Sequence, residues 1–315
     1  MTRILVTEKI AEAGLAVLRD AGHEVDVQIG LDEAQLREKI SGASGLLIRS
    51  ATQVDKELLA AADSLVVVGR AGVGLDNVDV DAATSSGVLV ANAPTANSIS
   101  AAEHTLAMLL ASARNIPQAH QSLQEGRWDR SSYGGVELYG KTLGIVGLGN
   151  IGGLVAERAS AFGMTILGHD PFVDAERADS LGVKLLDLDE VVRRGDFLTL
   201  HLARTPETID LIDAALLAQA QPHMRVVNVA RGGIINEADL EAAIRSGQIA
   251  GAALDVFATE PLTESPLFEL PGVIATPHLG ASTAEAQARA GQTAAEQIRL
   301  ALAGDDVPFA VNTIS

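Results

Sequence analysis

The sequence has no cysteine among its 315 residues. Disulfide frameworks, Cys-based zinc sites, iron–sulfur clusters and thiol nucleophiles are thereby excluded. Positive charge is also scarce. There are 23 Lys+Arg against 41 Asp+Glu, a formal net charge of -18. That balance argues against non-specific nucleic-acid binding and against an anionic membrane surface. No apolar run approaches the roughly 18 residues a bilayer span needs. The first ten residues, MTRILVTEKI, lack the apolar stretch of a signal peptide. The expectation is a soluble cytoplasmic protein. No low-complexity linker or tandem repeat marks a domain boundary. Lysine is rare as well, with 5 of the 23 basic residues, which decides nothing about function.

What the chain does have is length and alternation. A chain of about 300 residues buries roughly 75% of its unfolded surface and needs no staple to hold a core. Short β-branched apolar runs alternate with helical stretches: Arg3–Val6, Leu46–Ile48, Leu65–Val68, Val88–Val90, Leu143–Val146, Thr165–Leu167, Phe197–Leu200, Arg225–Val229, Ala252–Val256 and Val273–Ala275. This is the βαβ pattern of parallel sheets covered by helices on both faces. The runs are too many for one doubly wound sheet, so the expected α/β fold has two doubly wound parallel-sheet domains. Ser100 with Glu103, and Ser282 with Glu285, read as capping boxes opening two long helices. Leu106, Leu109, Leu110 and Ala113 follow the spacing of one buried helical face. Gly304 sits where a glycine cap ends the last helix. Two such helices can link two domains twice. The expected division is a discontinuous domain of residues 1–97 and 282–315 with residues 98–281 inserted.

The strongest local motif is Gly147-Leu148-Gly149-Asn150-Ile151-Gly152. A lone GxGxxG says little. This one follows an apolar strand and opens a helical stretch, Leu154–Phe162, and the next strand leads to Asp170. That is the context of a dinucleotide-binding turn. Phosphates rest on the helix N-terminus, where free N–H groups and the dipole favour negative charge. Asp170 is placed to accept bonds from ribose hydroxyls and to repel a 2′-phosphate, so NAD is expected over NADP. A second glycine motif, Gly135 through Thr142, matches the GxxxxGKT phosphate loop. A polar stretch precedes it and a strand follows it, the reverse of what that loop requires, so an ATPase is rejected.

Several further stretches carry a resemblance: Leu47-Ile48-Arg49-Ser50, Arg70 through Asn77, Asn97 through His104, Asn228 through Gly233, Asp255 through Pro261, and Pro277 through Ala281. With the glycine turn they span nearly the whole chain. In this order the sequence resembles the D-isomer-specific 2-hydroxyacid dehydrogenase family. The resemblance implies a Rossmann-type NAD domain inserted in a flavodoxin-like substrate domain, with the active site in the cleft between them. It also implies a catalytic set of Arg231, Glu260 and His278. Each role is physically sensible. Arg231 binds the substrate carboxylate with its planar fork and polarises the ketone oxygen. His278 carries the proton. Glu260 orients the imidazole and raises its pKa. Taken singly, each has a plainer reading as a surface arginine, a loop carboxylate or a turn histidine. Occurring together, inside these motifs, they read as a site.

The resemblance places NAD against Gly147, Gly149, Asn150, Ile151, Gly152 and Asp170, with Leu202, Val229, Ala230, Asp255, Gly280 and Ala281. It places a substrate phosphate on Arg49 and Ser50 with Arg70 nearby, and the carboxylate end at Val73, Gly74 and Asn97. Arg130 is expected to reach a partner subunit's site, in a homodimer or homotetramer. No metal is expected, since no histidine pair has ligand spacing. The activity implied is NAD-dependent oxidation of 3-phospho-D-glycerate. The alternatives are another 2-hydroxy acid, such as glyoxylate, hydroxypyruvate or D-lactate, or a non-catalytic NAD-sensing module. Many relatives continue into C-terminal regulatory domains, and none is expected in this chain. Leu202-Ala203-Arg204 departs from relatives that place a proline there.

Overall fold

Apolar runs of three to five residues form parallel strands, and the amphipathic stretches between them form the crossover helices. In this computed structural model residues 2–314 are described. Met1 and Ser315, the outer ends of the expected discontinuous domain, lie outside them. The chain divides into two units, Met1–Asn97 with Ala281–Ser315, and Ser98–Gly280.

The first unit runs β1 (Arg3–Val6), α1 (Glu12–Asp20), β2 (Glu24–Val27), α2 (Glu33–Ile40), β3 (Gly45–Ile48), α3 (Lys56–Ala61), β4 (Val67–Arg70), α4 (Val80–Ser85) and β5 (Leu89–Ala91). Among the described residues its five strands lie in the order β2-β1-β3-β4-β5, and every pairing is parallel. That is the flavodoxin-like order. Ile4, Leu5, Val6, Leu46, Leu47, Ile48, Val67 and Val68 are wholly buried, as expected of strands covered on both faces. Asp32, Asp55 and Asp79 cap α2, α3 and α4 by accepting the N–H of Gln35, Leu58 and Ala82.

The second unit runs α5 (Ser98–Arg114), α6 (Ile116–Gln124), β6 (Thr142–Val146), α7 (Asn150–Ala161), β7 (Thr165–His169), α8 (Ala175–Ser180), β8 (Lys184–Leu185), α9 (Leu188–Arg194), β9 (Phe197–Leu200), α10 (Ala214–Leu217), β10 (Arg225–Asn228), α11 (Glu237–Arg245), β11 (Gly251–Leu254) and β12 (Val273–Ala275). Its described strands number seven, in the order β12-β11-β10-β9-β6-β7-β8. The order reverses between β6 and β9, which makes the carboxyl ends of these strands the place where such sheets bind ligands.

The chain then returns to the first unit as α12 (Ala284–Ala303). Ala290, Ala294, Ala295 and Ile298 of α12 join a core with Ile4, Leu18 and Val67. A Cβ on Gly14 of α1 would stand 2.7 Å from the Gly291 carbonyl carbon, so α1 and α12 meet backbone to backbone. Gly304 ends α12 in the left-handed conformation, φ 75°.

Both capping boxes are corrected. The cap of α12 is Thr283, which accepts from Ala286 N, not Ser282. α5 begins at Ser98, so Ser100 lies buried in its first turn rather than ahead of it. Two strands escaped the sequence reading. β2 is Glu-Val-Asp-Val, an edge strand with only one neighbour, and β8 has two residues. Neither carries an apolar run, and both lie at a sheet edge, where burial on both faces is not required. No helix among the described residues is long and apolar enough to cross a membrane.

Candidate active site

The glycine turn is built as its motif requires. Gly147 follows β6 directly with φ 93°, a conformation that L side chains avoid. A Cβ on Gly152 would lie 2.0 Å from the Gly147 carbonyl oxygen, so α7 can pack onto the turn only with glycine there. Gly149 caps α7 and faces open space, which leaves the helix N-terminus approachable by a pyrophosphate. Asp170 follows β7. Its carboxylate accepts Leu148 N at 2.7 Å and Phe172 N at 2.9 Å, which fixes the acid beside the turn. The upstream GxxxxGKT stretch runs from an irregular segment into β6, so it is not a strand–loop–helix cradle.

The loops that follow β9, β10, β11 and β12 carry Leu202, Val229 with Ala230, Asp255 and Gly280. With the glycine turn and Asp170 they gather at the carboxyl edge of one sheet. Ala281 opens the returning segment of the other unit.

Arg231, Glu260 and His278 belong to the second unit. His278 Nδ1 and Glu260 Oε2 are 2.6 Å apart, and Glu260 Oε1 accepts Phe257 N at 2.9 Å. A carboxylate can only accept, so Nδ1 carries the proton and Nε2 is left for other chemistry. The Glu260 hydrogen bond raises the His278 pKa above its ordinary value. Burial and the nearby Arg231 charge work against that rise. Burial pushes the Glu260 carboxyl up, but the bonds from His278 and Phe257 N–H outweigh it and hold it low. Arg231 Nη1 donates to Ala230 O at 2.7 Å. The Asn228 side chain clasps the loop, donating to Arg231 O and accepting from Ala230 N. A Cβ on Gly232 would sit 1.7 Å from Phe257 O, so the Arg231 loop lies directly on the backbone that holds Glu260.

His278 has φ 55°, unusual for a non-glycine residue. Asp255 supports it. This side chain is wholly buried. Its carboxylate accepts Thr276 Oγ1 at 2.6 Å, Leu279 N at 2.7 Å, Gly280 N at 2.8 Å and His104 Nε2 at 3.2 Å. His278 N donates to Asp255 O at 2.8 Å. Burial raises the Asp255 pKa, but His104, Thr276 and the two amides bring it below the ordinary range. The motifs put Asp255 at the cofactor and end another matching stretch at His104. Nothing in those motifs couples the two, which lie 151 residues apart.

The substrate residues expected from sequence lie in the first unit, apart from Arg130. Ile48 and Arg70 are register partners at the ends of neighbouring strands β3 and β4, which sets Arg49-Ser50 beside the Arg70–Gly74 loop. The Arg70 guanidinium lies over Gly72, where a Cβ would stand 1.7 Å from Nη1. Val73 O accepts the Asn92 amide at 2.7 Å. Asn97 Oδ1 is buried with no hydrogen-bond partner among the described residues. Arg130 is exposed in a short 3-10 helix, Arg130–Tyr133, of the second unit. Among the described residues no group of three or more His, Asp or Glu could hold a metal.

Comparison with known proteins identifies the family. Residues 106–280 match the family described as D-isomer specific 2-hydroxyacid dehydrogenase, NAD binding domain. The chain is 56% identical over 311 residues to the D-3-phosphoglycerate dehydrogenase of Mycobacterium tuberculosis, covering 98% of this chain and 58% of that protein. It is 50% identical over 313 residues to that of Methanocaldococcus jannaschii, covering 99% and 60%. It thus spans somewhat over half the length of these curated relatives. Among solved structures, the TT0316 protein of Thermus thermophilus superposes with a TM-score of 0.92 at 34% identity, over 99% of this chain and all of that one. From its turn, its loops and these relatives, the chain belongs to the D-isomer-specific 2-hydroxyacid dehydrogenases.

Proposed function

We propose that the chain catalyses NAD-dependent oxidation of 3-phospho-D-glycerate to 3-phosphohydroxypyruvate. The observation that carries the chemistry is the His278–Glu260 pair with Arg231 in the adjoining loop. Neutral His278 accepts the hydroxyl proton at Nε2 as the alcohol becomes a ketone. Glu260 holds Nδ1–H and stabilises the imidazolium that results. Arg231 binds the carboxylate and steadies charge on the ketone oxygen. Bound nicotinamide supplies the hydride acceptor. The glycine turn and open helix N-terminus fit its pyrophosphate, and the Asp170 carboxylate supports NAD over NADP. Arg49, Ser50 and Arg70 suit a substrate bearing a phosphate as well as a carboxylate. Support for that substrate also comes from relatives at 46–56% identity, each named D-3-phosphoglycerate dehydrogenase.

The test is steady-state NADH production with 3-phosphoglycerate, D-glycerate and D-lactate, and the reverse assay with glyoxylate. A clear preference in kcat/KM for the phosphorylated acid is expected, and NAD is expected to outperform NADP. His278→Ala should lower kcat by roughly 10²- to 10⁴-fold, the usual worth of a general acid–base, with NADH binding retained. Preference for an unphosphorylated acid would overturn the substrate. Full activity in His278→Ala would overturn the mechanism.

A further inference from the structure

Glu8 follows β1 and has no part in the chemistry above, yet its carboxylate organises the loop after β3. Glu8 Oε1 accepts Arg49 N at 2.8 Å and Thr52 N at 3.0 Å, and Oε2 accepts Ala51 N at 3.1 Å. From the opposite chemical side, Asn77 Nδ2 donates to Arg49 O at 2.8 Å and Thr52 O at 2.6 Å. Thr7 and Thr52 join hydroxyl to hydroxyl at 2.7 Å. A cavity of about 430 Å³ borders Thr7, Glu8, Ala51, Thr52 and Gln53. Hydrogen bonds therefore share in holding the loop on that side.

We infer that Glu8 is a positioning residue for the substrate phosphate, with Asn77 as its counterpart. This rests on the proposed placement of the phosphate at Arg49 and Ser50. Converging backbone N–H groups make a ready anion site, and here Glu8 fills it. The phosphate must then be recognised by side chains, the Arg49 guanidinium and the Ser50 hydroxyl, projected from a loop whose backbone is fixed. The Glu8 charge is taken up by three N–H donors, so its repulsion of a phosphate is muted. Discrimination for phosphate is on this account a property of loop register as well as of Arg49.

The experiment compares the parent with Glu8→Ala, Glu8→Gln and Asn77→Ala, using 3-phosphoglycerate and D-glycerate, with the cooperative thermal melt as a check on folding. Glu8→Ala should raise the KM for 3-phosphoglycerate roughly ten- to a hundredfold, the range for losing hydrogen bonds to a charged group. The KM for D-glycerate and both kcat values should stay within about twofold, inside the error of such comparisons. Asn77→Ala should act in the same direction. Glu8→Gln keeps one acceptor oxygen and should fall between. Equal rises for both substrates, or an unchanged or lower KM for 3-phosphoglycerate, would overturn the role. If Glu8→Ala loses its cooperative thermal melt, the fold has failed, and Glu8→Gln with Asn77→Ala decide. A parent that does not prefer the phosphorylated acid overturns the substrate reading itself, and this role with it.

Discussion

Glu260 and His278 illustrate how little a residue's type says until its partner is known. Both side chains are partly exposed, 33% and 47%, so their ion pair contributes little to stability. Its value lies in the proton. The pair raises the His278 pKa, so the neutral base needed for oxidation appears at higher pH, and the protonated acid needed for reduction persists there. Replacing Glu260 with Gln removes the charge. The rising limb of the oxidation pH–rate profile should move to lower pH, and reduction should lose activity near neutrality. An unchanged profile would mean that Glu260 does not act on His278. His201 marks the contrast. Its imidazole pairs with Thr199 Oγ1, and burial pushes its pKa down to about 3. It stays neutral throughout the working range and cannot share the proton role.

At the scale of elements, most of the candidate residues lie at or just beyond the carboxyl end of a strand; Arg130, in a 3-10 helix after α6, does not. The strands are rigid because they are buried on both faces, and the turns are defined by a few glycines. Gly152 tests this. Its Cβ would meet the Gly147 carbonyl 2.0 Å away, and backbone cannot rotate aside as a flexible side chain can. Gly152→Ala should cost about 1–3 kcal/mol of stability, as overpacking does. It should also weaken NADH binding more than substrate binding. Calorimetry and fluorescence titration measure the two. A normal NADH affinity would mean that the turn does not hold the pyrophosphate. The helix starts were legible only by type. Ser–x–x–Glu patterns marked both long helices within three residues. Which hydroxyl caps α12 depended on Thr283 having the extended backbone, φ -112°, which no pattern of residue types specifies.

Across the whole molecule the net charge of -18 coexists with a candidate site rich in arginine. Overall charge bears on solubility, and local residues bear on the ligand. The second unit also exposes large apolar groups between residues 116 and 139: Ile116 at 53%, Leu123 at 56%, Trp128 at 81% and Tyr139 at 78%. Such surface suits an interface between copies. Light scattering should find a dimer or larger assembly, and Trp128→Glu should shift it toward monomer. A monomeric parent at micromolar concentration would remove that expectation. The two-sheet architecture was visible in the alternation of apolar runs, while β2 and β8 were not. β2 alternates charged with apolar residues and β8 has only two residues, so neither leaves an apolar run.

By itself the sequence determined the parallel sheets and the dinucleotide turn, and its resemblance to a known family nominated Arg231, Glu260 and His278. These depend on short-range features: apolar runs, glycine spacing and motif composition. Only the tertiary structure decided who holds whom. Glu260 pairs with His278 across 18 residues, Glu8 gathers amides 41 to 44 residues away, and Asp255 meets His104 across 151. A hydrogen bond needs its partners within about 3 Å. Strand order and loop path set those distances, and neither is written in the local periodicity of the chain.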